Sequence, residues 1–312
     1  MLVAESDSMK TTVDQSGLYA GLDQQIRDEL ARVSSSAGTS GTDGPLVSIK
    51  RVHKSFGPNI VLEDINLEIE RGKTTVILGP SGTGKSVLLK HIVGLIKPDR
   101  GEVTIDGTRV DTLGEQELGA VRKRVGYLFQ LGALFDSMNV RENIAFPLSQ
   151  HTRLDADQRA ACVQHVLGLV GMQGYEESNP ADLSGGQQRR IALARAVVLQ
   201  PCIVLYDEPT TGLDPIRADL INELIIALTR KMGITSVVVT HDIESAYKIA
   251  DRILLLREGQ FICDGSPEQV RDSDNGVVQR FVRGEADEQE LTTIRRAFAI
   301  DNEQHAANQR AD

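Results

Sequence analysis

Residues 79–86, Gly79-Pro80-Ser81-Gly82-Thr83-Gly84-Lys85-Ser86, put three glycines and a lysine into eight positions directly after the apolar run 74–78. Few folds can use such a segment. Glycines let the backbone turn tightly and aim successive amide N–H groups into one concavity, which suits phosphate oxygens. The device also needs a buried strand in front and a helix behind, because the helix N-terminus adds its partial positive charge to the attraction. The run 74–78 supplies the strand, and Lys85 opens a predicted helix. Lys85 is expected to reach the β- and γ-phosphates of a nucleotide, and the Ser86 hydroxyl to bind Mg²⁺.

The surrounding sequence agrees with that layout. β-type segments at 46–52 and 61–69 precede the loop, and further strands are predicted at 102–105 and 125–129. A helix-rich stretch follows at about 141–199. Segments 202–206 and 235–240 are continuously apolar, as strands buried on both faces are, and the helical pattern 216–230 lies between them. No internal repeat and no heptad run occurs. At the other end, 34–45 is small, polar and Gly-rich, the composition of a flexible linker. Before it, Leu18, Tyr19, Leu22, Ile26, Leu30 and Val33 share one face of a short amphipathic helix, which either docks on its own domain or binds a partner.

A second chemical element is Ile203-Val204-Leu205-Tyr206-Asp207-Glu208, an apolar strand that ends in two carboxylates. Beside a phosphate loop, Asp207 is expected to hold Mg²⁺ and Glu208 to act as general base on the attacking water. The third element is Leu183-Ser184-Gly185-Gly186-Gln187, followed at once by the helical 188–196. It is a second Gly-rich helix N-terminus with a hydroxyl, able to bind phosphate by the same amide-plus-dipole mechanism. This segment resembles the signature of ABC ATPases. The resemblance covers about 46–283 and implies an α/β P-loop NTPase core with an antiparallel β subdomain and an inserted α-helical subdomain at about 131–200. It leaves 1–45 as an extension with its linker and 284–312 as an acidic tail.

The family likeness assigns further roles residue by residue. Phe56 resembles the aromatic that stacks on adenine, in place of a commoner tyrosine. Gln130 resembles the residue of the Gln loop near Mg²⁺ and water. Asp214 in Gly212-Leu213-Asp214-Pro215 resembles the loop that crosses between subunits, and His241 resembles the switch histidine at the γ-phosphate. In the family the signature of one subunit covers the ATP of the other, so a dimer of two copies is implied, with ATP and Mg²⁺ between them. A narrower likeness lies in Gly132-Ala133-Leu134-Phe135 after the Gln loop, continuing to Leu148, and in 278–287. These stretches resemble the ATPase subunits of Mla and Mce lipid-transport systems. That likeness implies a separate membrane permease, with lipid-binding and accessory subunits. It also suggests that the segment after Gly284, with Leu291, Ile294 and Phe298 as a small apolar stripe, contacts the other subunit or an accessory protein.

Charge and cysteine use narrow the classes. Residues 1–45 hold seven acids and three bases, as do 284–312, so the ends carry most of the net charge of -10 and the body is nearly neutral. A neutral body has no basic face for DNA or RNA. The three cysteines, Cys162, Cys202 and Cys263, have neither zinc-ligand nor disulfide spacing, which fits a reducing compartment. No apolar run reaches the roughly 20 residues of a membrane span, and no signal peptide is read at the start. The expected location is therefore the cytoplasmic face of the plasma membrane, held there by the permease.

Three classes compete: a transporter motor, a soluble ABC machine of DNA repair or translation, and a nucleotide sensor without turnover. The second would need a coiled-coil or zinc insertion or two cassettes, and the third would lack Glu208 or Ser184. The expected function is an ATPase powering lipid transport, with a nutrient importer for amino acids or another polar solute as the alternative. His53, His91, His151, His165 and His305 are read as structural or surface residues.

Overall fold

In the computed structural model, which describes residues 18–19, 21–35, 44–286, 291–293 and 295–296, the run ahead of the glycine loop is a fully buried strand inside a six-stranded sheet. The elements begin with α1 (Gln24–Ser35), β1 (Val47–Phe56), β2 (Asn59–Ile69), β3 (Thr74–Leu78), α2 (Lys85–Ile92), β4 (Arg100–Ile105) and β5 (Thr108–Arg109). Next come α3 (Glu115–Arg122), β6 (Val125–Leu128), α4 (Val140–His151), α5 (Ala156–Leu169), α6 (Gly185–Val197) and β7 (Ile203–Asp207). Last are α7 (Pro215–Met232), β8 (Thr235–Thr240), α8 (Ile243–Ile249), β9 (Arg252–Arg257), β10 (Gln260–Gly265), α9 (Pro267–Arg271) and α10 (Gly276–Val282).

Two sheets form. The first, ordered β2-β1-β4-β5, is antiparallel throughout. The second is ordered β10-β9-β3-β8-β7-β6, parallel from β9 to β6 with β10 antiparallel at its edge. Side chains alternate along each central strand and so feed two cores. Val76 and Leu78 of β3, Val204 and Tyr206 of β7 and Val238 of β8 face the helical layer, where they meet Ile144, Val166, Ile191 and Ile225. Ile77, Leu205, Val237 and Val239 face the other way, toward α2 and the antiparallel sheet, where Leu89, Ile49, Leu62 and Ile65 complete the second core. The two sheets are also tied by Asp106, at the β4–β5 turn, which pairs with Arg124 just before β6 and with Arg71 just before β3. Burial alone would raise the Asp106 pKa, but the two guanidiniums hold it below the ordinary carboxylate range.

Several elements go beyond the sequence expectation. The segment 252–265 is a β-hairpin at the sheet edge, built from the apolar 253–256 and turning at Gly259 with φ 78°. The helix-rich stretch resolves into α4, α5 and α6, and Asn139, Asp155 and Ser184 each accept a backbone N–H as N-caps.

The amphipathic segment before the linker packs against its own domain. Leu18, Tyr19, Ile26, Leu30 and Val33 are buried in the helical-side core. The Tyr19 hydroxyl donates to Val198 O at 2.8 Å, its ring lies 5.0 Å from that of His165, and Glu29 Oε1 accepts from Arg153 N at 2.6 Å. Burial is the main reason the Tyr19 phenol is pushed well above its usual pKa, so it stays a neutral donor. Replacing a buried aromatic by alanine costs about 3 kcal/mol or more. Tyr19→Ala should lower the urea midpoint accordingly, and an unchanged midpoint would contradict the packing. Most of the predicted linker, Ile294 and Phe298 lie outside the described residues.

Candidate nucleotide site

A parallel sheet sends the C-terminal ends of its strands to one edge, and here that edge collects the chemistry. Leu78, the last residue of β3, is level with Thr240 of β8, and Val239 is level with Asp207 of β7. Gly79, His241 and Glu208 therefore leave three adjacent strands side by side. On the next strand Leu128 is level with Tyr206, which puts Gln130 two residues beyond the same line.

The loop 79–84 needs its glycines. Gly84, the N-cap of α2, has φ 99°, and a Cβ there would stand 2.8 Å from Val61 Cγ1 on β2. At Gly79 a Cβ would fall 2.3 Å from Leu256 O. Lys85 is buried, and its Nζ donates to Gly79 O at 2.8 Å and Pro80 O at 2.9 Å, with Glu208 Oε1 3.3 Å away. Thr83 Oγ1 donates to Pro80 O at 3.0 Å. One ammonium thus meets the loop and the carboxylate two strands away.

Ser86 Oγ donates to Asp207 Oδ1 at 2.6 Å, and the Tyr127 hydroxyl reaches Asp207 Oδ2 at 3.3 Å. A hydroxyl and a carboxylate held together beside a phosphate-type loop form the oxygen-only donor set that Mg²⁺ takes, with substrate oxygens and water completing the shell. Among the described residues no group of three or more His, Cys, Asp or Glu side chains is placed so that it could hold a metal ion by itself. The donors present fit Mg²⁺ rather than zinc.

Glu208 is buried and has φ 50°, a left-handed backbone that is uncommon for a non-glycine residue and more so before a proline. Its carboxylate is held from three sides. Oε2 accepts from Thr211 Oγ1 at 3.0 Å and from His241 N at 3.4 Å, and it lies 2.9 Å from His241 Nδ1. His241 itself is about half exposed. Backbone strain of this kind, beside a charged cluster, marks a functional turn. Gln130 has an exposed side chain, and its carbonyl accepts from Arg189 of α6. Phe56 is 48% exposed at the β1–β2 hairpin, with Lys54 Nζ 5.4 Å from its ring centre. Such an exposed face next to the β2 residues that touch Gly84 is available for stacking.

The signature segment lies apart. Ser184 caps α6, its Oγ accepting from Gln187 N at 3.4 Å while Ser184 N donates to Gln187 Oε1 at 2.9 Å. Among the described residues none of its hydrogen bonds reaches the Lys85 cluster. Ser184, Gly186 and Gln187 instead share a small surface pocket with Arg217 and Leu220 of α7. Asp214 caps α7, accepting from Arg217 N at 3.1 Å. The fold therefore joins Lys85, Ser86, Asp207, Glu208 and His241 in one cluster and presents Ser184–Gln187 as a second, separate cradle. Sequence reasoning missed Tyr127, Thr211 and Arg189. For Arg189 a signal existed, since Gly186, Ala192 and Leu193, its neighbours at helical spacing, are all small or apolar and buried.

The model of the ABC transporter family matches residues 62–211. The intermembrane phospholipid transport system ATP-binding protein MlaF of Escherichia coli K12 is 40% identical over 242 residues, 78% of this chain and 90% of that protein. The chain belongs to the ABC transporter family. Another relative, the probable ribonucleotide transport ATP-binding protein mkl of Mycobacterium leprae, is 42% identical over 241 residues, covering 77% of this chain and 70% of that protein. Among solved structures, an ATP-binding cassette captured as a dimer in a post-hydrolysis state with ADP and Pi superposes with a TM-score of 0.67 at 35% identity, over 71% of this chain and 98% of that one. The cbiO1 protein of Clostridium perfringens, part of the ABC transporter complex cbiONQ, gives 0.68 at 28% identity, over 77% and 96%. The α/β cassette described above is thus an ABC ATPase fold, and the chain is an ATP-binding ATPase of that family.

Proposed function

We propose that this cassette is the ATP-hydrolysing subunit of a lipid transporter, working as a dimer of two copies bound to a separate membrane permease. Its hydrolytic part is supported by one observation above the others: Lys85, Ser86, Asp207, Glu208 and His241 converge at one sheet edge. In this reading Lys85 and the amides of 79–84 hold the β- and γ-phosphates, with Phe56 on adenine. Ser86 and Asp207, with Gln130 nearby, are the residues that would hold Mg²⁺. Magnesium, when bound, neutralises charge on the phosphate oxygens. Glu208 Oε2 takes the proton of the attacking water as its oxygen bonds to the γ-phosphorus and the bond to the ADP oxygen breaks, and His241 orients that carboxylate.

Ser184, Gly185, Gly186 and Gln187 then serve the partner copy, closing on its γ-phosphate, with Asp214 at the crossing. The separation of the signature from the Lys85 cluster within one protomer supports this, as does the dimeric structural relative. We divide the chain accordingly into 1–45, a cassette at 46–283 whose helical part is about 131–200, and a tail at 284–312.

The lipid assignment is supported by the likeness to MlaF over 90% of that protein and by the segment after Gln130, where Leu131 is 86% and Phe135 41% exposed as an apolar surface for a permease. No described helix is long and apolar enough to cross a membrane, so attachment to the cytoplasmic face runs through that partner, together with lipid-binding and accessory subunits. The second reading, an importer of a polar solute, is favoured by the name of the mycobacterial relative. Proteins that co-purify with this chain from detergent-solubilised membranes distinguish them. A permease with a lipid-binding subunit is expected, and a permease with a polar-solute-binding protein would overturn the lipid reading.

Lys85→Ala should weaken ATP binding by about tenfold or more, because it removes a charge-assisted contact to the phosphates in the ground state. Direct titration with a fluorescent ATP analogue checks this, and unchanged affinity would remove Lys85 from the phosphate site.

A further inference from the structure

Arg189 is only 6% exposed, and the bonds it makes go to backbone carbonyls. Nη1 donates to Phe129 O at 3.2 Å and to Gln130 O, and Nη2 donates to Thr211 O at 3.2 Å. Among the described residues it forms no ion pair. Burial pushes its pKa down, yet a guanidinium remains charged in a protein. A buried cation satisfied by carbonyl dipoles alone is a costly arrangement for stability, since an apolar residue of the same volume avoids the desolvation.

Its position suggests what the charge does. Arg189 stands in the second turn of α6, just behind the signature residues Ser184–Gln187. The two carbonyls held by Nη1 flank the Cα of Gln130, so they set the direction in which that exposed side chain leaves the backbone. The carbonyl held by Nη2 belongs to Thr211, whose hydroxyl donates to Glu208 Oε2 at 3.0 Å. One side chain therefore ties the backbone at Gln130 and the Thr211–Glu208 turn to the helix that the signature opens. A second arginine of the same helix extends the grip: Arg195 Nη2 donates to Gly132 O at 2.9 Å and Ala133 O at 2.8 Å. Carbonyls at 129, 130, 132 and 133 are thus all fastened to the helix that the signature opens.

We propose that Arg189 is a positioning residue for ATP hydrolysis, a guanidinium fork that locks the backbone at Gln130 and the Thr211–Glu208 turn to the signature helix. The inference rests on the assignment of Glu208 and Gln130 to the chemistry. The fork matters more than the charge, because its nitrogens reach acceptors on two different loops at once, which a single ammonium on a flexible stem does not.

The test uses full-length protein, alone and in complex with its co-purified membrane partner, carrying Arg189→Met or Arg189→Lys. Arg189→Met should melt no lower than the parent, because an apolar side chain replaces a buried cation. ATP affinity and KM should stay within about twofold while kcat falls about ten- to a hundredfold, the size of effect that small misplacements of catalytic groups produce. Arg189→Lys should lose activity to a similar degree. Hydrogen exchange should quicken at 129–131 and 208–212 while the first turn of α6 stays protected.

Parent-like kcat in Arg189→Met would overturn the proposal. Parent-like kcat in Arg189→Lys would also overturn it, by assigning the effect to charge. A lowered melting temperature with parallel loss of ATP binding would reduce Arg189 to scaffolding. Glu208→Gln run alongside separates the two levels of inference. If that variant is inactive while Arg189→Met is not, only the positioning role fails, whereas if Glu208→Gln is active the underlying assignment fails.

Discussion

Glu208→Gln should keep ATP binding and lower steady-state turnover by at least about a hundredfold, the contribution expected of a positioned general base. The substitution preserves volume at a buried position, and Lys85 retains its bonds to Gly79 O and Pro80 O, so the phosphate loop keeps its shape. What it removes is the one carboxylate that Thr211, the His241 backbone and the His241 ring all address. With binding intact and the proton acceptor gone, the variant should accumulate as an ATP-bound dimer, seen as a shift to twice the monomer mass on size exclusion only when ATP is present. Activity within a few-fold of the parent would remove Glu208 from the role of base. His241 is the nearest substitute on the same edge.

Two inactive variants should restore activity when mixed. Ser184→Arg spoils the signature cradle and leaves the Lys85 loop untouched, while Lys85→Ala does the reverse. Each homodimer then contains two defective sites. If the cradles of one protomer serve different nucleotides, a heterodimer of the two variants pairs an intact Lys85 loop with an intact Ser184 turn at one of its two sites. Activity per heterodimer should rise from background to about half that of the parent dimer, and an equal, randomly paired mixture to about a quarter, on the assumption that one intact site turns over independently. Ser184→Arg also deletes an N-cap, which costs about 1 kcal/mol, so its folding must be verified before it is mixed. Proven heterodimers without recovery would contradict a site shared between copies.

The parts of this site that were readable from sequence are those in which backbone and side chain carry the same message. A glycine loop between an apolar strand and a helix has one economical use, and Asp207-Glu208 at the end of a continuously apolar strand falls beside it once β8 is inserted between β3 and β7. That insertion was legible only as a strand-helix-strand order, because sheet order depends on long-range packing that no local pattern encodes. The partners that orient Glu208 were not legible. Thr211 reads as an ordinary turn residue, and its role rests on the left-handed backbone at Glu208, which the sequence conceals by placing the residue before Pro209. For Arg189 the small and apolar neighbours at helical spacing marked a buried position, but its acceptors are carbonyls, and main-chain acceptors leave no trace in residue identity. The edge hairpin 252–265 was missed although 253–256 is apolar and strand-length. For the N-terminal helix the apolar stripe was visible but its partner was not, and the buried Tyr19 hydroxyl on Val198 O supplied the answer.

The central claim is that ATP hydrolysis by this chain drives lipid movement, and it is tested most directly in vesicles. The complex purified from membranes is reconstituted with a fluorescent phospholipid, and transfer of the label between the complex-bearing vesicles and acceptor vesicles is followed with and without ATP-Mg²⁺. Transfer that requires ATP, and that disappears in the Glu208→Gln complex while ATP still binds, is the expected result. A complex that hydrolyses ATP without moving phospholipid, and whose hydrolysis is instead stimulated by a ribonucleotide or another polar solute at the opposite membrane face, would contradict the account.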